Sequence, residues 1–182
     1  MKTRLLFILF SGMYSFCTAQ SKMFTALIPV GYVLLDSASG DLNKDGYRDL
    51  LLVLKTSDEE NFSEKLRPLL ILHGDKTKKY TLIARNDNVV LCNGCGGVFG
   101  DPYTGLVIKN SYFSAEHYGG SNWRWTRIMT FKYDLKTKTY LLHRDAGESY
   151  HMSDLDKTTQ NVNRKQDFGK LPFTKYNSKL DQ

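Results

Sequence analysis

Trp123-Arg124-Trp125-Thr126-Arg127-Ile128-Met129-Thr130-Phe131-Lys132-Tyr133 is a segment with one dominant rhythm. Trp123, Trp125, Arg127, Met129, Phe131 and Tyr133 alternate with Arg124, Thr126, Ile128, Thr130 and Lys132. Successive side chains of a strand point to opposite faces, so a period of two marks a strand and excludes a helix here. Asp134-Leu135-Lys136-Thr137-Lys138 supplies turn residues, and Thr139-Tyr140-Leu141-Leu142-His143 returns as the second arm of a hairpin.

The same grammar repeats upstream. Residues 105–109 and 112–117 pair across Asn110-Ser111. Arg67-Pro68-Leu69-Leu70-Ile71-Leu72-His73 is a strand with Pro68 at its entry, where a missing N–H is tolerated. Residues 74–79 turn it and Tyr80-Thr81-Leu82-Ile83-Ala84 returns. Tyr32-Val33-Leu34-Leu35 and Leu50-Leu51-Leu52-Val53-Leu54 flank a polar loop as a further hairpin. No segment holds a helical period. The expectation is an all-β chain: a single antiparallel, meander-like domain over residues 20–153, built as a twisted sheet, a sandwich or a partial, propeller-like unit. A complete propeller needs about four blades or more, too many for this length. Residues 154–182 read as a polar C-terminal tail, partly packed on the domain through Phe168, Leu171 and Phe173.

The loop of the first hairpin carries the strongest chemical signal. Gly40-Asp41-Leu42-Asn43-Lys44-Asp45-Gly46-Tyr47-Arg48-Asp49-Leu50 places oxygen-bearing side chains at Asp41, Asn43, Asp45 and Asp49. Calcium takes about six to eight oxygen ligands, and a tight loop with ligands at alternate positions supplies them. Gly46 permits the turn that directs the Tyr47 carbonyl inward. The spacing is not that of an EF-hand, whose twelfth loop position would fall on Leu52 rather than on a glutamate. The stretch resembles the calcium loop of FG-GAP repeats, the integrin-alpha type of propeller blade. That resemblance implies a structural calcium held by Asp41, Asn43, Asp45 and Asp49, with the carbonyl of Tyr47. It covers one loop only: Gly31-Tyr32 stands where the family has Phe-Gly, and no Gly-Ala-Pro follows Leu54. The chain as a whole is similar to small secreted bacterial proteins of unassigned function.

The first residues read as a targeting signal rather than as part of the fold. Lys2 and Arg4 precede the apolar stretch 5–10, and Thr18-Ala19 precedes Gln20, so a signal peptide over 1–19 is expected, cleaved at Ala19/Gln20. Phe16 before Cys17 is too bulky for a lipoprotein cleavage site. No other stretch is long and apolar enough to span a bilayer. The expected location is secreted or periplasmic, with no stable membrane insertion. The formal net charge of +6 is spread over turns such as Lys76, Lys78 and Lys79. Scattered charge of this kind argues against a nucleic-acid partner and leaves an extracytoplasmic protein or glycan as the expected one.

Cysteine and aromatic residues add two candidates. Cys92-Asn93-Gly94-Cys95 is the cysteine pair left after processing, and outside the cytoplasm it reads as a local disulfide across an Asn-Gly turn. A thioredoxin-like redox pair would open a helix in an α/β unit, and zinc would need two more suitably spaced ligands. His117, Tyr118, Asn122 and Trp123 form a possible ligand surface of rings beside polar groups, although Trp123 and Trp125 share a face with the core stripe of Met129 and Phe131. Residues 145–151 contain acids, Ser149 and His151, but no nucleophile elbow and no phosphate-cradling loop. The functional expectation is a binding or accessory module, with an extracytoplasmic hydrolase acting on envelope or extracellular polymers and a purely structural domain as alternatives.

Overall fold

The apolar run 50–54 forms the middle of β2 (Asp49–Thr56), beside β3 (Arg67–Gly74). Both strands are buried on both faces, which is why they read as continuous apolar runs. Residues 50–54 and 69–72 are each at most 2% exposed. β1 (Tyr32–Gly40) and β4 (Tyr80–Val90) complete a four-stranded sheet in the order β1-β2-β3-β4. β5 (Tyr103–Lys109), β6 (Tyr112–Gly120), β7 (Trp123–Asp134), β8 (Thr139–His151) and β9 (Asp154–Arg164) form a second sheet, again in chain order. All pairings are antiparallel, so the chain is two consecutive meanders, an all-β sandwich-like domain. This is a computed structural model that describes residues 27–178. The chain divides into Met1–Val30 and Gly31–Gln182, and the sandwich belongs to the second unit. The expected signal peptide 1–19 and its cleavage point at Ala19/Gln20 lie outside the described residues.

The sheets meet through Leu51, Val53, Leu69 and Ile71 on one side and Phe113, Ala115, Met129, Phe131 and Leu142 on the other. Phe113 and Phe131 stack at 5.2 Å, so cross-strand ring contact adds to area burial. Asp36, at a bulge in β1, fastens one edge of the sandwich. Its Oδ2 accepts the Tyr103 hydroxyl at 2.8 Å and the Leu106 N–H at 3.2 Å.

The opposite edge is filled by the C-terminal segment. The stretch read as a polar tail begins with β9, an edge strand exposed throughout its middle, with Asp154, Val162 and Asn163 half-buried. Exposure on both faces erases the alternation that betrays a strand. A single helical turn (Lys165–Phe168) follows, then a 3-10 turn (Phe173–Lys175). Phe173 and Tyr176 are each 1% exposed and belong to the core, with Phe168 and Leu171 packed against it. The Asn86 amide donates to the carbonyls of Phe173 and Tyr176, and the Leu142 N–H donates to Leu171 at 2.8 Å. These residues close the space between β4 and β8.

Candidate functional site

Residues 41–48 join β1 to β2, and Gly40 pairs with Asp49 across the hairpin. Asp41 turns its carboxylate into the loop. Its Oδ1 accepts the N–H groups of Lys44 (2.7 Å) and Asp45 (3.2 Å), and its Oδ2 that of Gly46 (3.1 Å). Asp45 accepts the Tyr47 N–H and the Asn43 amide, both at 2.8 Å. Asn43 Oδ1 accepts the Asp45 N–H at 3.0 Å. Lys44 (φ 65°) and Gly46 (φ 87°) take the left-handed region that so tight a ring requires. The structure thus gathers Asp41, Asn43 and Asp45 around one turn.

Asp49 has a different place. It is fully buried, with Oδ2 accepting the N–H groups of Leu42 (2.8 Å) and Asn43 (3.2 Å) and Oδ1 that of Gly74 at the end of β3 (3.1 Å). Burial pushes its pKa up, against the opposing pull of these hydrogen bonds and of His73. Asp49 therefore ties the loop to the neighbouring strand. His73 lies beside the loop, with Nδ1 3.4 Å from the Asn43 amide and Nε2 2.8 Å from the Tyr140 hydroxyl. Among the described residues, no three His, Cys, Asp or Glu side chains close into a metal-holding group. The donors at 41, 43, 45 and 49 are nevertheless all oxygen-bearing, the chemistry a hard cation takes. A carboxylate offers about four lone-pair sites, so the three N–H bonds on Asp41 and on Asp49 do not exhaust either.

Two inward-facing arginines, Arg67 buried and Arg127 half-buried, escaped the sequence reading as centres of ion pairs. Arg67, 1% exposed, forks onto Glu59 (Nη2 to Oε2, 2.6 Å) and onto Asp101 (Nη1 to Oδ1, 2.7 Å). Burial alone would depress its pKa; the two carboxylates more than offset that and hold it raised. The cluster clamps the 57–66 and 97–102 loops. Arg127 forks onto Asp145 (Nε to Oδ1, 3.1 Å; Nη2 to Oδ2, 2.7 Å) and donates through Nη1 to the Ser178 carbonyl at 2.8 Å. The Tyr176 hydroxyl donates to Asp145 at 2.7 Å. The signal was present in the sequence: Arg127 sits on the same face as Met129 and Phe131, and a charge on a core face needs a buried counter-charge.

Arg127 marks where the inner face of the second sheet changes character. Across β6 to β9 the registers align His117, Arg127, Gly147 and Asn161 in one row. Ala115, Met129, Asp145 and Asn163 form the row on the core side, and Gly119, Trp125, Ser149 and Thr159 the row beyond. Residues of these rows line a cleft of about 390 Å³, with Leu91 and Cys95 on another wall. A Cβ on Gly147 would lie 2.4 Å from the Thr126 carbonyl oxygen, and one on Gly119 2.6 Å from the Trp125 ring. Neither glycine tolerates a side chain, and Trp125 is seated directly on Gly119.

The proposed ligand surface divides between the two faces of the sheet. His117 faces the core and is 2% exposed, so it is not a surface residue. Its alternation with Phe113 and Ala115 on β6 carries it inward. Its Nε2 accepts the Leu91 N–H at 3.2 Å, and burial lowers its pKa to about 4. Tyr118 is half-buried on the opposite face, while Asn122 and Trp123 are exposed at the far end of β7. Trp123 is 55% exposed, because β7 there runs past the core. Cys92 and Cys95 lie at disulfide distance, with Sγ atoms 2.01 Å apart; Cys92 precedes a 3-10 turn (Asn93–Gly96) and Cys95 lies within it. His151 bonds Ser153 at 2.7 Å and packs edge-on against Trp123.

Comparison with models of protein families, with curated proteins and with solved structures returned no match.

Proposed function

We propose that this chain is an extracytoplasmic binding or accessory module whose first hairpin is braced by a structural calcium ion. The observation that carries the reading is the loop itself, where Asp41, Asn43 and Asp45 face one turn and Asp49 fastens that turn to β3. In the resemblance to FG-GAP loops these four side chains and the Tyr47 carbonyl hold the metal. Calcium there supplies charge neutralisation and fixed geometry. Secretion or a periplasmic location is supported by the Cys92–Cys95 pair and by the basic, apolar start of the chain. Among the described residues no helix is long and apolar enough to cross a membrane.

Distance along the fold favours a brace over a catalytic metal. The loop lies against His73, whose ring packs 5.6 Å from Tyr133, whereas the cleft is built around Trp125. At about 3.3 Å per residue, the path along β7 between those two residues is roughly 26 Å. The alternative, a hydrolase acting on extracellular polymers, needs a carboxyl free to move a proton in the cleft. Of the two carboxyls among the lining residues, Asp145 is committed to Arg127 and Tyr176, so Glu148 has no second free carboxyl beside it to form an acid–base pair, which favours binding over turnover.

Calorimetric titration of residues 20–182 with calcium should show one site, lost in Asp45→Ala. Extracellular calcium sites have dissociation constants of about 10⁻⁴ to 10⁻³ M. At roughly tenfold excess, linkage stabilises the fold by about 1.4 kcal/mol, a rise of a few degrees in Tm. No heat at millimolar calcium, or unfolding of the whole domain by chelator, defeats the brace.

A further inference from the structure

We infer that the cleft between the polar half of the second sheet and the disulfide loop holds an uncharged sugar unit of a polysaccharide or glycan. The inference rests on the binding-module reading and names its ligand class.

Charge narrows the occupant first. Arg127 is the one cation among the residues that line the cleft, and its Nε, Nη1 and Nη2 already donate to Asp145 and the Ser178 carbonyl. Asp145 is matched by that fork and by the Tyr176 hydroxyl. The pair cancels within the wall, and Glu148 remains as the charge at the rim. An anionic ligand would meet no unspent cation there and one carboxylate, so the electrostatics select against it.

The remaining polar groups are neutral and of mixed character. Ser149, Thr159, Asn161 and Asn163 each both donate and accept, and none spends a side-chain hydrogen bond on a described residue. A ligand carrying several adjacent hydroxyls, each also donor and acceptor, matches such a set. Trp125 adds a flat apolar surface set at right height by Gly119, and Leu91 and Cys95 add apolar area opposite. Gly147 adds no side chain to the cleft, because the Thr126 carbonyl occupies the place a Cβ would take. A volume of about 390 Å³ lies within the range of about 300–1,000 Å³ found for small-molecule sites. Because β9 is an open edge, the cleft is not sealed at that end, which suits one unit of a longer chain.

The test is affinity electrophoresis of residues 20–182 through native gels cast with uncharged polysaccharides (starch, laminarin, xylan, galactomannan) and with charged ones (alginate, heparin). At least one uncharged polymer should retard the protein. Asn161→Ala and Asn163→Ala, at an exposed edge strand, should keep the parent Tm and bind roughly tenfold more weakly. Trp125→Phe should weaken binding too, and Trp123→Phe should not. Retardation by no uncharged polymer, or retardation that the asparagine variants leave unchanged, overturns the inference. Retardation by a charged polymer alone, lost in those variants, overturns the assignment of an uncharged sugar and leaves the binding reading standing. The calcium titration above is independent of every one of these outcomes.

Discussion

Lowering the pH should destabilise the domain through one residue. His117 is buried on the inner face of β6, and its Nε2 accepts the Leu91 N–H, so the ring is neutral with its proton on Nδ1. Nδ1 finds no well-aligned partner among the described residues, and the Arg127 backbone beside it offsets burial only in part. Protonation would cost the Leu91 hydrogen bond and place a cation in the core. The pKa falls from 6.5 to about 4. A depressed folded-state pKa means stability that is fully present above pH 6.5 and is lost as pH falls toward 4. The gap is worth about 3 kcal/mol, at about 1.4 kcal/mol per pH unit, against a total stability of about 5–15 kcal/mol for a domain. Urea unfolding of the parent and of His117→Gln between pH 7.5 and 4 isolates this contribution. Gln keeps an acceptor for Leu91 and does not titrate. Asp49, whose raised pKa gives stability lost as pH rises, and His143, whose pKa is lowered chiefly by burial, are common to both proteins and cancel in the difference. Equal slopes in the two proteins between pH 6.5 and 4 would refute the assignment.

Arg67→Met should cost about 3–5 kcal/mol in urea unfolding, since Glu59 and Asp101 lose their partner and Glu59 is only 1% exposed; a loss under 1 kcal/mol would show that the loops relax to hydrate both acids. Phe173→Ala should cost about 3–5 kcal/mol, because the ring packs 5.2 Å from Phe131 in the core; near-neutrality would mean that the C-terminal segment is dispensable. Replacing Cys92 and Cys95 together by serine should cost no more than about 2 kcal/mol, as the closed loop is very short, and intact mass after alkylation without reductant should show no modified cysteine in the parent.

The fold class was legible wherever one face of a strand is buried and the other wet. β7 alternates plainly, and the hairpins around 110–111 and 134–138 follow from turn residues between apolar runs. β9 was not legible, because Asp154–Arg164 lies at an edge where seven successive residues are exposed. Burial leaves a pattern; its absence leaves none. The C-terminal core residues were half visible. Phe168, Leu171 and Phe173 announced themselves as apolar residues in a polar stretch, whereas Tyr176 gave no sign that its hydroxyl would meet Asp145.

The candidate sites divide along the same line. The acidic loop is local: its oxygen-bearing side chains lie within nine residues of chain, so spacing alone proposes it. The cleft is non-local, and its three rows come from four strands whose registers no single stretch encodes. Only the pair Arg127 and Asp145 was within reach, since a charge on the face of Met129 and Phe131 demands an opposite one. That pair is also the physical boundary of the core. On one side of it the inner face is Phe113, Phe131 and Leu142; on the other it is Trp125, Ser149, Thr159 and Asn161. A sheet that merely outran its partner would be safe with lysine and glutamate on the surplus face. This one carries neutral hydrogen-bonding groups around an aromatic ring, with its ionic pair spent internally, and that composition is what the proposed sugar site requires.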